Sequence, residues 1–286
     1  MERTHRRRAD GVLAVMMPIY NEERTLPRIL PRVLAQPEVG EVIAVDDGST
    51  DKSWAILEAA ARADSRVRPF RQPSNMGKGA ALKRAIEHLS MPFALVQDAD
   101  LEYDPADYPV LVAPLLAGRA DVCYGAREFA GHTAYSFWFV MGGRMITLAC
   151  NVLYNSFLTD ILTGYKVLRS DLWRRLSLKR DGFDIDPEIT GQVLRLGYRI
   201  HEVPINYFAR SREEGKKVGV GDGIHALVTL LEIRTRSVHS LLGKRLDPDY
   251  HKQRQRELAD QHPFISDEPA EERAANGGVA RLRRVR

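Results

Sequence analysis

Three observations in the sequence predict an α/β fold built on a mostly parallel, doubly wound sheet. Short apolar runs over 13–17, 41–45, 67–71 and 93–97 alternate with helical stretches over 22–35, 51–63 and 77–88, the pattern of parallel βαβ units. Each apolar run is followed at once by polar or glycine-rich residues, as expected where the carboxyl ends of parallel strands carry ligand-binding loops. The chain has 286 residues, 44% hydrophobic and 28% charged. That composition is globular, and the length suits one large domain with a tail.

The strand at 13–17 runs into Pro18-Ile19-Tyr20-Asn21-Glu22, which puts an aromatic ring on the rim. The strand at 41–45 runs into Asp46-Asp47-Gly48-Ser49-Thr50-Asp51. Gly48 allows a sharp turn, and Ser49 or Thr50 is placed to cap the next helix. A carboxylate here is also placed to accept hydrogen bonds from a nucleobase or ribose; capping alone is the plainer alternative. The third strand is followed by Asn75-Met76-Gly77-Lys78-Gly79. Its glycines let the backbone approach closely at a helix start, where free N–H groups favour anions, and Lys78 adds a positive charge. Neither a Walker A loop nor a G-x-G-x-x-G fingerprint is present.

The strand at 93–97 ends in Asp98-Ala99-Asp100-Leu101-Glu102. In an extended segment residues i and i+2 share a face, so Asp98 and Asp100 repel each other unless a cation lies between them. Oxygen ligands suit Mg²⁺ or Mn²⁺, which also bind substrate phosphates. An isolated D-x-D pair is a common chance match. On a rim shared with three other polar loops it points to a metal and phosphate site.

Residues 135–162 are the longest apolar stretch, interrupted by Gly142, Gly143, Arg144, Asn151, Asn155 and Asp160. It is too broken for a membrane span. It reads as two helical pieces with a face of Met145, Leu148, Ala149, Val152 and Leu153, suited either to the core or to a membrane interface. Residues 1–10 form a basic arm without a signal-peptide core, and residues 241–286 read as a charged, mostly disordered tail. Residues 11–240 between them form the single folded domain. Two cysteines, Cys123 and Cys150, make no disulfide framework and no zinc spacing, which favours a reduced, cytoplasmic compartment. The net charge of +4 is compatible with anionic substrates or lipid headgroups. No nucleic-acid partner is expected.

As an ordered set, the four strand-end motifs resemble the family 2 glycosyltransferases of the GT-A fold, a Rossmann-like sheet flanked by helices. Within them the resemblance is to the polyprenyl-phosphate (dolichol-phosphate) mannosyl- and glucosyltransferases. Gly125-Ala126-Arg127, Thr159-Asp160, Thr163-Gly164-Tyr165-Lys166 and Gly197-Tyr198-Arg199-Ile200 with Glu202-Val203-Pro204-Ile205 add to it, so it covers about 12–236. The resemblance implies a nucleotide-sugar half at 11–130 and an acceptor half at 131–240. It implies that Pro18, Tyr20, Glu22, Asp47, Lys78 and Asp98 hold the nucleotide sugar. Asp98 and Asp100 would bind Mg²⁺ or Mn²⁺, with Glu102 where many relatives place glutamine as a further ligand. Arg127 and Arg144 would face phosphates, and Arg210, Arg212, Lys216 and Lys217 would lie on a basic loop closing over donor and acceptor. Many relatives carry transmembrane helices after the catalytic domain; this chain has the charged tail there, so a peripheral position on the inner face of the cytoplasmic membrane is expected.

The implied reaction is an inverting, metal-dependent transfer of mannose or glucose from GDP-mannose or UDP-glucose to a dolichyl or undecaprenyl phosphate. A phosphate monoester with a second pKa of about 6 is largely dianionic at neutral pH, so it needs placement rather than a base. Paired arginines suit that task. Two alternatives stay open. One is a sugar or protein hydroxyl acceptor with Asp160 as base. The other is a non-catalytic nucleotide-sugar-binding protein, against which the intact Asp98 and Asp100 pair argues.

Overall fold

Seven strands make one sheet in the computed structural model, which describes residues 11–127, 137–209 and 220–237. They are β1 (Leu13–Ile19), β2 (Val39–Asp46), β3 (Val67–Arg71), β4 (Phe93–Val96), β5 (Val122–Arg127), β6 (Lys166–Arg169) and β7 (Ile200–Ile205), in the order β3-β2-β1-β4-β6-β5-β7. β1 pairs in parallel with β2 and β4, β2 with β3, and β5 with β7. Only β6 runs against its neighbours β4 and β5. The central strands β1, β2 and β4 are buried along most of their length. That is why they read as unbroken apolar runs rather than alternating ones.

The helices are α1 (Leu26–Leu34), α2 (Ser53–Ala63), α3 (Lys78–Glu87), α4 (Tyr108–Leu116), α5 (Phe137–Tyr154), α6 (Ser170–Trp173), α7 (Ile185–Arg195) and α8 (Val220–Thr235). Alternate residues of β1 serve opposite faces of the sheet. Val15 and Met17 join Leu26, Ile29 and Leu111 on one side, while Ala14 and Met16 join Leu82, Trp173 and Ile189 on the other. A smaller cluster of Ile146, Cys150, Ile161, Ala226 and Leu230 holds α5 against α8.

Three elements differ from expectation. Strand β1 continues through Pro18 and Ile19, which register with Val45 and Asp46. Helix α1 starts at Leu26 rather than 22, because Pro27 favours the first turn and residues 22–25 form a turn in which Thr25 Oγ1 donates to the Glu22 carboxylate at 2.6 Å. The 135–162 stretch yields one continuous helix, α5, with Gly142 and Gly143 inside it. Asn151 ties down the chain that follows, donating to the Leu158 carbonyl and accepting from its N–H at 2.8 and 2.9 Å. Of the expected apolar face, Met145, Leu148 and Val152 are 58%, 54% and 75% exposed and lie on the surface, while Leu153 packs against the cluster between α5 and α8. Among the described residues no helix is long and apolar enough to cross a membrane. The basic arm at 1–10 and the tail at 241–286 lie outside the described residues.

Candidate active site

The carboxyl ends of β1 and β2 are joined by hydrogen bonds between their loops. Asn21, in the left-handed region at φ 55°, donates its N–H to Ser49 Oγ at 3.0 Å and accepts from the Thr50 N–H at 2.9 Å. The N–H groups of Glu22 and Glu23 donate to Ser53 Oγ and Asp51 Oδ2 at 2.9 and 3.0 Å. Ser49 therefore holds the neighbouring loop instead of capping α2. The turn into α2 is made by Asp51, whose Oδ1 accepts from the Ser53 N–H at 2.9 Å. Pro18, Tyr20 and Glu22 lie half-buried along this edge.

Asp47, 3% exposed, gathers the third loop. Its Oδ1 accepts from Gln72 Nε2 at 2.6 Å and from the Met76 N–H at 2.8 Å, and its Oδ2 from the Gly77 N–H at 2.8 Å. The N–H groups at the start of α3 are not free, which corrects the expectation of an anion site there. Those of Gly79 and Ala80 donate to the Asp181 carbonyl at 2.6 and 3.4 Å. The glycines are required by the chain itself: a Cβ on Gly77 would lie 2.3 Å from the Asp181 carbonyl oxygen, and one on Gly79 2.4 Å from that of Arg180.

The Lys78 ammonium is 3.0 and 3.1 Å from the two oxygens of Asp98 and 3.5 Å from Asp186 Oδ2. It is turned to these carboxylates. Burial alone would lower its pKa, but Asp186 and Asp98 outweigh burial and raise it. Asp186, in the first turn of α7, is shared: its Oδ1 accepts from Lys166 Nζ at 2.7 Å. Burial would raise the Asp186 carboxyl, but Lys166 and Lys78 hold it below the ordinary range. The result is a row of alternating charge, Asp98, Lys78, Asp186 and Lys166, that runs from a partly exposed carboxylate to a fully buried lysine. Local spacing does not single out Asp186, because its place in the row depends on the 180–181 backbone lying over the start of α3. Gly164 completes the setting, since a Cβ there would lie 2.8 Å from Asp98 Oδ2.

Asp100 Oδ1 accepts from the Glu102 N–H at 3.1 Å, around Leu101 at φ 67°. Glu102 Oε2 accepts from Tyr207 Oη at 2.7 Å. Among the described residues no group of three or more His, Cys, Asp or Glu side chains is gathered to hold a metal, so Asp98, Asp100 and Glu102 do not form a three-ligand cage. Two carboxylates remain as hard oxygen donors, with the Gly164 backbone packed close beside one of them. That set fits Mg²⁺ or Mn²⁺, which take one or two carboxylates and complete their shell with water and substrate phosphates.

At the end of β5, Arg127 Nε and Nη2 donate to Asp160 Oδ2 and Oδ1 at 2.5 and 2.9 Å. The guanidinium also lies over the Tyr207 ring, 4.9 Å from its centroid. Burial opposes the charge on Arg127, but Asp160 outweighs it and raises the pKa well above the ordinary arginine value. Glu202 fixes the Asp160 turn, its Oε1 accepting from the Asp160 N–H at 3.2 Å and its Oε2 from the Thr159 N–H at 2.9 Å. Tyr103 Oη accepts from the Gly164 N–H at 2.7 Å and its ring packs tilted against Tyr207, with centroids 5.2 Å apart and planes 56° apart. Hydrogen bonds, an ion pair, ring contacts and chain neighbours thus link Asn21 and Ser49, Asp47 and Gly77, Lys78 and Asp98, and Gly164 through Tyr103 and Tyr207 to Arg127. Arg144 is exposed on α5, and Arg210, Arg212, Lys216 and Lys217 lie outside the described residues.

Comparison with known proteins agrees with this geometry. Residues 14–176 match the profile of Glycosyl transferase family 2. The polyprenol monophosphomannose synthase of Mycolicibacterium smegmatis is 30% identical over 219 residues, covering 72% of this chain and 80% of that protein. Glycosyltransferase AglJ of Haloferax volcanii is 27% identical over 199 residues, and the match spans 69% of this chain but only 63% of that longer relative. The fold is also that of glucosyl-3-phosphoglycerate synthase from Mycobacterium tuberculosis, crystallised with Mn²⁺, UDP and glucosyl-3-phosphoglycerate, with a TM-score of 0.61 at 22% identity over 79% of this chain and 81% of that one. On the strength of the profile match and the relative from Mycolicibacterium, the chain belongs to the family 2 glycosyltransferases.

Proposed function

We propose that the protein transfers a hexosyl group, mannose or glucose, from GDP-mannose or UDP-glucose to a polyprenyl phosphate, with inversion. The observation that carries this reading is the set of contacts that links the loops after β1, β2 and β3 with Asp98, and Asp98 through Gly164 and Tyr103 with the neighbourhood of Arg127. The acceptor class is supported by the name of the relative from Mycolicibacterium smegmatis. The Mn²⁺ and UDP in the structural neighbour agree with the donor side.

In this reading Pro18, Tyr20 and Glu22 line the nucleotide groove, and Asp47 shapes it by holding residues 72–77. Asp98 and Asp100 hold a divalent cation beside the donor diphosphate. When bound, that cation supplies positive charge against the leaving diphosphate. Arg127, fixed by Asp160, adds a preorganised cation on the same edge. Arg144, with Arg210, Arg212, Lys216 and Lys217, pairs with the acceptor phosphate and orients it for direct displacement, which inverts the anomeric centre. The phosphate is already dianionic and needs no base. Asp160 has both oxygens committed to Arg127, which argues against its use as a base for a hydroxyl acceptor.

Peripheral attachment to the inner face of the cytoplasmic membrane fits the same picture. Met145, Leu148 and Val152 on α5 and Ile224, Val228 and Leu231 on α8 are all more than half exposed. They repeat at helical spacing beside the exposed Arg144 and Arg234. The test is a panel of nucleotide sugars offered with polyprenyl phosphate and Mn²⁺, read by product mass. A polyprenyl phosphohexose formed from one donor supports the reading; donor hydrolysis without lipid product overturns it.

A further inference from the structure

We propose that Lys78 is a resident counter-cation of Asp98 that passes to Asp186 when a divalent cation binds, so that Lys78 and Asp186 are positioning residues for the metal. The inference rests on the metal-dependent reading above and extends it to residues outside the expected ligand set.

The geometry supports a hand-over. Lys78 Nζ straddles the Asp98 carboxylate, 3.0 Å from Oδ1 and 3.1 Å from Oδ2, where a chelated cation would compete with it. Asp186 Oδ2 already makes a second, looser ion pair with Lys78 at 3.5 Å, longer than a charge-assisted hydrogen bond by roughly 0.7 Å. The other oxygen of Asp186 is taken by Lys166, which leaves Oδ2 as the landing point. The backbone around Lys78 is fixed, because Gly77 and Gly79 are pressed under the carbonyls of residues 181 and 180. The motion is therefore confined to the side chain.

Stability alone gives no account of this row. Lys166 is fully buried, and the side chains of Lys78 and Asp186 are 11% and 10% exposed. Buried ion pairs are commonly neutral or unfavourable relative to apolar residues of the same volume. A charge row that ends on one carboxylate of the D-x-D pair has a use there: it neutralises Asp98 before the metal arrives and gives the displaced ammonium a partner afterwards. Without Asp186, a dication and an ammonium would share one carboxylate and repel each other.

The test is binding of Mn²⁺ alone, followed by the electron paramagnetic resonance signal of free Mn²⁺, with circular dichroism confirming the fold of each variant. Lys78→Met removes the competitor, and Mn²⁺ should bind about tenfold more tightly. Asp186→Asn strands the buried Lys166 and risks misfolding. The double variant Asp186→Asn/Lys166→Met removes one charge of each sign, keeps the row neutral and leaves Lys78 with only the carboxylates of the D-x-D pair. It should bind Mn²⁺ about tenfold more weakly. A folded double variant with wild-type affinity, or a Lys78→Met protein that binds no more tightly than wild type, overturns the hand-over while leaving the metal site standing. Wild-type protein that binds no Mn²⁺ overturns both.

Discussion

Arg127 and Asp160 meet edge to edge, with Nε 2.5 Å from Oδ2 and Nη2 2.9 Å from Oδ1, and both side chains are nearly buried, at 11% and 10% exposed. This commits Asp160 to holding a cation. Asp160→Asn leaves the guanidinium half-paired, and we expect a stability loss of about 2–4 kcal/mol. Transfer by the folded enzyme should stay within about tenfold, a barrier change under roughly 1.4 kcal/mol. Arg144→Ala unpairs the acceptor phosphate and should cost at least about a hundredfold, on the order of 3 kcal/mol. Single-turnover transfer by both folded variants checks the ranking; a hydroxyl acceptor that needs a base predicts the reverse.

Gly164 is the contact between the D-x-D segment and the Tyr103 ring. An added Cβ would stand 2.8 Å from Asp98 Oδ2 and 3.1 Å from Tyr103 Cε2. Gly164→Ala should therefore displace Asp98 and lower kcat by about tenfold or more, with only a small change in melting temperature. Kinetics and a thermal melt of the same preparation decide it, and normal turnover would show that Asp98 needs no such close fit.

Glu41 gives a pH signature on the opposite edge from the chemistry. Burial raises its carboxyl pKa, but hydrogen bonds from Ser90, Arg68 and Met91 outweigh burial and hold it below the ordinary 4.5. A depressed folded-state value means stability present above pH 4.5 and lost as pH falls through the lower folded value. Glu41→Gln should cost about 1–3 kcal/mol at neutral pH, with the difference from wild type closing below pH 4.5. Urea denaturation of both proteins across that range measures it.

Val228 and Leu231 lie on the exposed side of α8, at 53% and 51%, while Leu230 and Ile233 anchor the helix from its buried side. Val228→Glu/Leu231→Glu should leave the fold intact and abolish binding to anionic vesicles. Wild-type binding should weaken with salt as basic residues are screened. Flotation with anionic and neutral vesicles reads this directly; unchanged flotation of the double variant would remove α8 from the membrane face.

The fold was legible because β1, β2 and β4 are buried runs punctuated by chemistry-bearing loops, and because the intervening helices keep to one strand spacing. Less was visible past residue 127. The reversal of β6 is invisible to apolarity, since Lys166 is a buried lysine at its start. The site was legible residue by residue where a motif sits on a strand end, as with Asp98 and Asp100. It was not legible where a role depends on distant partners. Gly77 and Gly79 look like an anion cradle in sequence, yet the 180–181 backbone occupies the space. Asp186 looks like an ordinary first-turn acid, and only the seating of the 180–181 backbone over the start of α3 brings it to Lys78.

A competition between acceptors decides whether the nucleophile is a lipid phosphate. Equal amounts of polyprenyl phosphate and the matching polyprenol are offered with the active nucleotide sugar and Mn²⁺, and products are read by mass. Hexose is expected on the phosphate, none on the alcohol, and no product in excess chelator. Hexose on the alcohol or on an added glycan hydroxyl, with the lipid phosphate unmodified, would contradict it.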